Sequence, residues 1–208
     1  RVNVTGVEWG VNQPWAHPEK TAQAIGALLE HLIKTKGYTC IKDWTLTNEP
    51  NGQFFTQGGD FDTFVKLHRL VKEEFNRRGL NIRIGGSDDA MSFPWLARCV
   101  THPEYYNLVD LFSSHYYFSI GERPFFGNIL ADCVTLVNKH AAPLDANARP
   151  KPFIVGEMGF CDARTKPPLD NPFMEDYEYA LLTQSACIEG LNNGVAGFSV
   201  WCMQEIHY

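Results

Sequence analysis

Apolar positions along the chain switch repeatedly between short continuous runs and stripes at helical spacing, and glycine or proline stands at most of the switches. The β-branched segment from Arg1 to Trp9 predicts a strand that ends at Gly10. Pro18 suits the first turn of a helix whose apolar face is Ile25, Leu28, Leu29, Leu32 and Ile33, with Gly37 as its stop. The run Ile41 to Leu46 predicts a second strand, which passes into the polar segment Thr47-Asn48-Glu49-Pro50-Asn51. Asp60 is placed to cap the next helix, Phe64, Leu67, Leu70, Val71 and Phe75 form its stripe, and Gly79 ends it. Further strands are predicted over Asn81 to Gly86, Leu108 to Phe112, Phe153 to Gly156 and Val195 to Trp201. Helices are predicted around Pro94 to Val100, around Leu130 to Val137, and from Tyr177 to Glu189, the last broken by Gly190 and Gly194. The Ala- and Pro-rich stretch from Ala141 to Pro152 reads as a surface loop.

Six strands alternate with five helical segments, and the strands are apolar throughout rather than on every second residue. That is the pattern of a parallel sheet covered by helices on both faces, so the fold class is α/β. Polar and aromatic residues gather at the carboxyl ends of the strands, where a (β/α)8 barrel builds its active site. A doubly wound sheet has the same alternation, but no glycine-rich phosphate loop follows any strand, which favours the barrel.

Composition narrows the function classes. With 44% hydrophobic and 20% charged residues, the 208-residue chain is expected to fold as one domain over 1–208. A net charge of −6 and the lack of any basic run argue against nucleic acid as a partner. No stretch approaches the roughly 20 consecutive apolar residues of a membrane span. The six cysteines never fall at CxxC spacing, so neither a zinc ribbon nor a thioredoxin-type site is indicated. The seven histidines include no His-x-His or His-x-x-x-His pair, so a metal-dependent barrel hydrolase is weakly supported, and no metal or other cofactor is expected. The Asn-x-Thr sequon at Asn3 falls in a predicted strand and reads as incidental.

Glu49 and Glu157 each lie at the end of a predicted strand. Two carboxyls facing one another across a cleft can cleave a glycosidic bond, one protonating the departing oxygen and the other attacking the anomeric carbon. Their surroundings, Trp44-Thr45-Leu46-Thr47-Asn48-Glu49-Pro50-Asn51 and Ile154-Val155-Gly156-Glu157-Met158-Gly159-Phe160, resemble the signatures of glycoside hydrolase clan A. The resemblance implies a retaining (β/α)8 enzyme with Glu49 on strand four as acid/base and Glu157 on strand seven as nucleophile. It also implies that Asn48 holds the sugar 2-hydroxyl. The pattern is similar to the cellulase-like family five of that clan, whose strand six ends in His-x-Tyr and strand eight in tryptophan, here His115, Tyr117 and Trp201. By that resemblance Tyr117 donates to Glu157, His115 sits near Glu49, and Trp201 forms the floor under the reacting sugar. Alternation along an extended chain turns His115 and Tyr117 to one side and Tyr116 to the other.

Trp9, Trp15, Phe54, Phe55, Phe118 and Phe160 are further candidates for stacking on sugar faces, and Asp88 and Asp89 for binding sugar hydroxyls or serving as turn or cap residues. The expected substrate is a β-linked polysaccharide or oligosaccharide, and the family's usual setting favours secretion. A catalytically inactive carbohydrate-binding barrel piece is the alternative. On the family's landmarks Arg1 to Trp9 is strand three and Val195 to Trp201 strand eight, so strands one and two and the last helix are wanting. An open barrel exposes strand edges, and the expectation is an incomplete barrel finished by a missing N-terminal segment or a complementing chain.

Overall fold

Polar residues that follow three of the predicted strands prove to be part of those strands. The computed structural model describes residues 2–4, 15–52, 58–119, 125–144, 150–161 and 172–201. The chain divides into two compact units, Arg1–Phe112 and Ser113–Tyr208.

In the first unit β1 (Val2–Val4), β2 (Ile41–Thr45) and β3 (Arg83–Ala90) lie side by side in chain order, all parallel. Val4 pairs with Trp44 and Trp44 with Ile84, so the fully buried Trp44 is flanked by a strand on each side. The Asn3 amide and the Thr45 hydroxyl exchange hydrogen bonds of 3.0 and 3.3 Å between β1 and β2, which gives the sequon asparagine a structural task. The remainder of the predicted first strand, through Trp9, lies outside the described residues.

Helix α1 (Pro18–Glu30) packs against α2 (Phe61–Arg77). Arg78, just past α2, ties them together by reaching Glu30 at 2.6 Å and Glu74 at 2.8 Å. Ile25 and Leu29 are buried as the periodicity requires, whereas Leu28 is exposed. The helix continues into a π-helical turn, His31–Thr35, whose wider winding rotates Leu32 and Ile33 off the buried stripe and leaves them half-exposed. Asp60 caps α2 by accepting from the Thr63 amide at 2.7 Å. Gly37 and Gly79 both adopt positive φ, 73° and 61°, where the chain turns out of its helices.

Strand β3 runs four residues beyond its predicted end at Gly86, because Ser87, Asp88 and Asp89 are buried rather than solvated. Two helices follow instead of one, α3 (Phe93–Thr101) and α4 (Pro103–Leu108). Both start with proline in the first turn, and His102 caps α4 through Nδ1, which accepts from the Tyr105 amide at 3.2 Å.

Strand β4 (Leu111–Ser119) begins at the end of the first unit and continues through the second, so Ser113 to Tyr117 are strand and not loop. Helix α5 (Phe126–Leu144), strand β5 (Phe153–Cys161), helix α6 (Tyr177–Asn192) and strand β6 (Gly197–Val200) complete the second unit. Its strands stand in the order β4-β5-β6, and β5 and β6 are parallel, with Val155 opposite Phe198. Gly190 does not break α6. It is buried inside the helix, where an added Cβ would collide with the Phe198 ring. The helix ends at Asn192, and Gly194, with φ 90°, turns the chain out of it.

Among the described residues there are six strands separated by helices, two fewer strands than a closed (β/α)8 barrel. Among them no helix is long and apolar enough to cross a membrane.

Candidate active site

The first of the two glutamates stands just beyond β2. Glu49 has φ 47°, in the left-handed region that residues with a Cβ rarely enter. Its amide donates to the Asp88 carbonyl at 3.1 Å, and its carbonyl accepts from the Gly52 amide at 3.0 Å, closing a tight turn. Two residues on, the Asn51 side chain imitates a strand partner. Its Nδ2 donates to the Ala90 carbonyl at 3.2 Å and its Oδ1 accepts from the Ala90 amide at 2.9 Å. Asn51 has no assigned task in the motif, and only its capacity to donate and accept with one planar group signals this use. Asn48 is half-buried beside Glu49, and the fully described part of the motif ends at Gly52.

Left-handed backbone is concentrated here. Besides Glu49, the described non-glycine residues with positive φ are Ser87 (62°), Asp88 (48°) and Met91 (47°), all at the end of β3. Such conformations cost on the order of 1 kcal/mol or more each and persist only where the surroundings impose them. Asp88 and Asp89 are buried, which removes the reading of them as solvated turn residues, and Asp89 Oδ2 accepts from the Ser92 amide at 2.9 Å.

The surroundings that impose this shape are aromatic. Ser87 is gripped at both ends, since its amide donates to the Tyr105 hydroxyl at 3.1 Å and its carbonyl accepts from Trp95 Nε1 at 3.1 Å. Behind Tyr105 lies His68 of α2, with Nε2 3.2 Å from the phenol oxygen and Nδ1 2.8 Å from the Phe64 carbonyl. Burial pushes the His68 pKa down to about 4, outweighing the Phe64 and Gly85 carbonyls that favour the charged ring. Burial likewise raises Tyr105 well above the ordinary phenol range. Neither residue is legible from sequence as part of a site. His68 falls on the apolar stripe four residues after Phe64, and the i+4 spacing to a buried phenylalanine is the only signal it leaves.

The second glutamate lies within β5 of the other unit. Glu157 Oε2 accepts from the Tyr117 hydroxyl at 2.9 Å and lies 3.6 Å from His115 Nδ1. His115 is buried and Tyr117 half-buried. Tyr116, between them, points the other way and places its hydroxyl 3.1 Å from the Cys133 sulfur on α5. A strand that alternates its side chains thus gives one face to the helices and one to the carboxyl. Trp201 follows β6, is 38% exposed, and is held by its amide, which donates to the Met158 carbonyl at 2.9 Å. The pleat of β5 is tight beside Glu157, where a Cβ on Gly159 would lie 3.3 Å from both the Tyr117 ring and the Trp201 carbonyl.

Several candidate stacking residues fare differently. Phe118 and Phe160 are buried, 5.9 Å apart and joined by Phe126, so they are core and not groove. Trp15 is half-buried. Trp9, Phe54 and Phe55 lie outside the described residues.

No family model matches the sequence, and no curated protein does. Solved structures do. A family 39 β-xylosidase from Caulobacter crescentus is 18% identical with a TM-score of 0.63, over 88% of this chain and 38% of that one. A glucosidase from Croceicoccus marinus is 17% identical with a TM-score of 0.62, over 90% of this chain and 38% of that one. A family 51 α-L-arabinofuranosidase from Thermotoga petrophila is 14% identical with a TM-score of 0.62, over 86% of this chain and 40% of that one. The chain therefore spans about two fifths of the length of these structures. Together with the sequential parallel strands within each unit, the likeness makes the fold an α/β partial barrel of the (β/α)8 type. Two of these structures carry families 39 and 51 in their descriptions, so the likeness to family five rests on the sequence motifs alone.

Proposed function

We propose that residues 1–208 form part of the single catalytic barrel domain of a retaining glycoside hydrolase of clan A, cleaving β-glycosidic bonds of an oligosaccharide or polysaccharide. The observation that carries this reading is the hydrogen bond from Tyr117 to Glu157 Oε2 at a strand of a barrel-type fold. A carboxyl that accepts from a phenol is steadied as the anion, the form a nucleophile must have. Its free electron pair attacks the anomeric carbon, and the bond from that carbon to the departing oxygen breaks. Glu49 gives its proton to that oxygen, then takes one from the water that hydrolyses the glycosyl ester and releases Glu157. The retaining route needs the two carboxyls about 5–5.5 Å apart.

In this scheme Asn48 binds the sugar 2-hydroxyl, Trp201 and Trp9 offer ring faces to sugar C–H faces, and His115 contributes to the polar lining around the carboxyls. The motifs of the sequence favour a cellulase-like β-glycan. The names of the structural neighbours add β-xylosides, glucosides and arabinofuranosides to the panel worth assaying.

The test is Glu157→Ala in the full-length gene product. Turnover of an aryl glycoside should vanish and should return with azide as a glycosyl azide of inverted configuration. Full activity in the variant would end the assignment. A wild-type protein that binds sugar without releasing the aryl group would point instead to a carbohydrate-binding function.

A further inference from the structure

A left-handed glutamate needs something to hold it there, and the groups that do so form a connected line from the helix layer to the end of β2. The Glu49 amide is fixed by the Asp88 carbonyl. Asp88 and its neighbour Ser87 are themselves left-handed, and Ser87 is held at its amide by Tyr105 and at its carbonyl by Trp95. His68 in turn holds Tyr105.

A neutral His68 has one proton for the two carbonyls that face its ring, those of Phe64 and Gly85, and the short Phe64 contact decides where it goes. The Phe64 carbonyl can only accept, so at 2.8 Å the proton of a neutral His68 sits on Nδ1. Nε2 is then an acceptor, and it takes the Tyr105 proton. The phenol oxygen, having given its proton to His68, is free to accept from the Ser87 amide. Every hydrogen bond in the line runs the same way, from Ser87 to Tyr105 to His68 to Phe64. All four residues are buried, so water cannot substitute for a lost partner. Gly86 makes the approach possible, because a Cβ there would stand 3.1 Å from the Tyr105 hydroxyl and 2.8 Å from Val109.

We propose that Tyr105, backed by His68, and Trp95 are positioning residues for the acid/base carboxyl, which act by clamping Ser87 and so fixing the Asp88 carbonyl on which the Glu49 backbone rests. The proposal builds on the assignment of Glu49 as acid/base. None of the three touches the sugar. What they set is the direction in which the carboxyl leaves the backbone, and proton transfer to a departing oxygen is sensitive to that direction.

The experiment uses the full-length gene product with Tyr105→Phe, which deletes one oxygen and keeps the ring. Amide hydrogen exchange at Ser87 and Glu49 should quicken on the order of tenfold, the effect of one lost buried hydrogen bond, while amides of α1 stay as they were. On 4-methoxyphenyl β-xyloside, whose leaving group needs a proton, kcat/KM should also fall on the order of tenfold. On 2,4-dinitrophenyl β-xyloside, whose leaving group needs none, it should change less than twofold. Unchanged exchange at Glu49, or an equal loss on both substrates, overturns the proposal. Glu49→Ala run alongside separates the two levels, since an equal loss on both substrates there means that Glu49 is not the acid/base at all. Should Tyr105→Phe fail to fold, Trp95→Phe removes the other half of the clamp and faces the same readings.

Discussion

The buried His68 should make the stability of the first unit depend on pH in a window where few other groups titrate. Its pKa falls from 6.5 to about 4 on folding, chiefly by burial. In the unfolded chain it binds a proton as pH drops past 6.5, whereas the folded protein refuses one until about 4. Between those values the unfolded state carries more protons, so folding weakens as pH falls. The contribution is whole above 6.5 and is lost by about pH 4. At about 1.4 kcal/mol per pH unit the loss amounts to about 3 kcal/mol, a large share of the 5–15 kcal/mol typical of a domain. The assay is urea unfolding of wild type and His68→Gln at a series of pH values from 7.5 to 4. Carboxylates titrate in both proteins and cancel in the difference, leaving the histidine. The wild type should lose about 3 kcal/mol more than the variant across the series. Two curves that descend in parallel would mean that His68 is charged in the folded protein, and the hydrogen-bond direction derived for Tyr105 would fall with it.

Two more outcomes follow from individual contacts. Tyr117→Phe deletes the donor to Glu157 Oε2. A hydrogen bond to a charged group is worth about 1.5–3 kcal/mol, so kcat/KM on an aryl glycoside should drop by roughly one to two orders of magnitude, with the unfolding midpoint little changed. Gly190→Ala should destabilise the second unit by about 1–3 kcal/mol in the same urea assay, since its new Cβ meets the Phe198 ring. Helix propensity alone predicts a gain of about 1 kcal/mol, so the sign of the change decides between packing and propensity.

Helix starts and stops were the most legible part of the fold. Asp60, Pro18, Gly37 and Gly79 each act through a local constraint on cap, φ or donor count, and local constraints survive in any tertiary setting. Strand ends were less legible, for a common reason. Predicted stops at Gly86, Phe112 and Gly156 all fall where apolar residues give way to polar ones, yet β3, β4 and β5 run on to Ala90, Ser119 and Cys161. Polar residues there are buried and bonded rather than solvated, as with Asp89 and His115, so polarity marked chemistry instead of the end of the sheet. Gly190 misled in the opposite direction, because the reason for glycine was a ring in the next strand and not a turn. Phe118 and Phe160, adjacent in sequence to polar strand ends, looked like groove lining and are core.

Glu49 and Glu157 were candidates from sequence because each lies at the end of a predicted strand, and Asn48, His115, Tyr117 and Trp201 because their motifs resemble those of clan A. The line behind Glu49 was not legible. Tyr105, His68 and Trp95 come from three different helices, and nothing in the order of residues says that they converge on Ser87.

The left-handed backbone at Glu49 also bears on how such a protein responds to selection. Glycine is the residue that a φ of 47° suits best, and replacing glutamate by glycine there would relieve on the order of 1 kcal/mol of strain. Heat resistance, taken as the only criterion, would therefore reward loss of the carboxyl on which the proposed chemistry depends. A stabilisation campaign on this chain that does not score turnover would drift toward a firmer and inert protein, and Glu49 is among the first positions at which the two aims part.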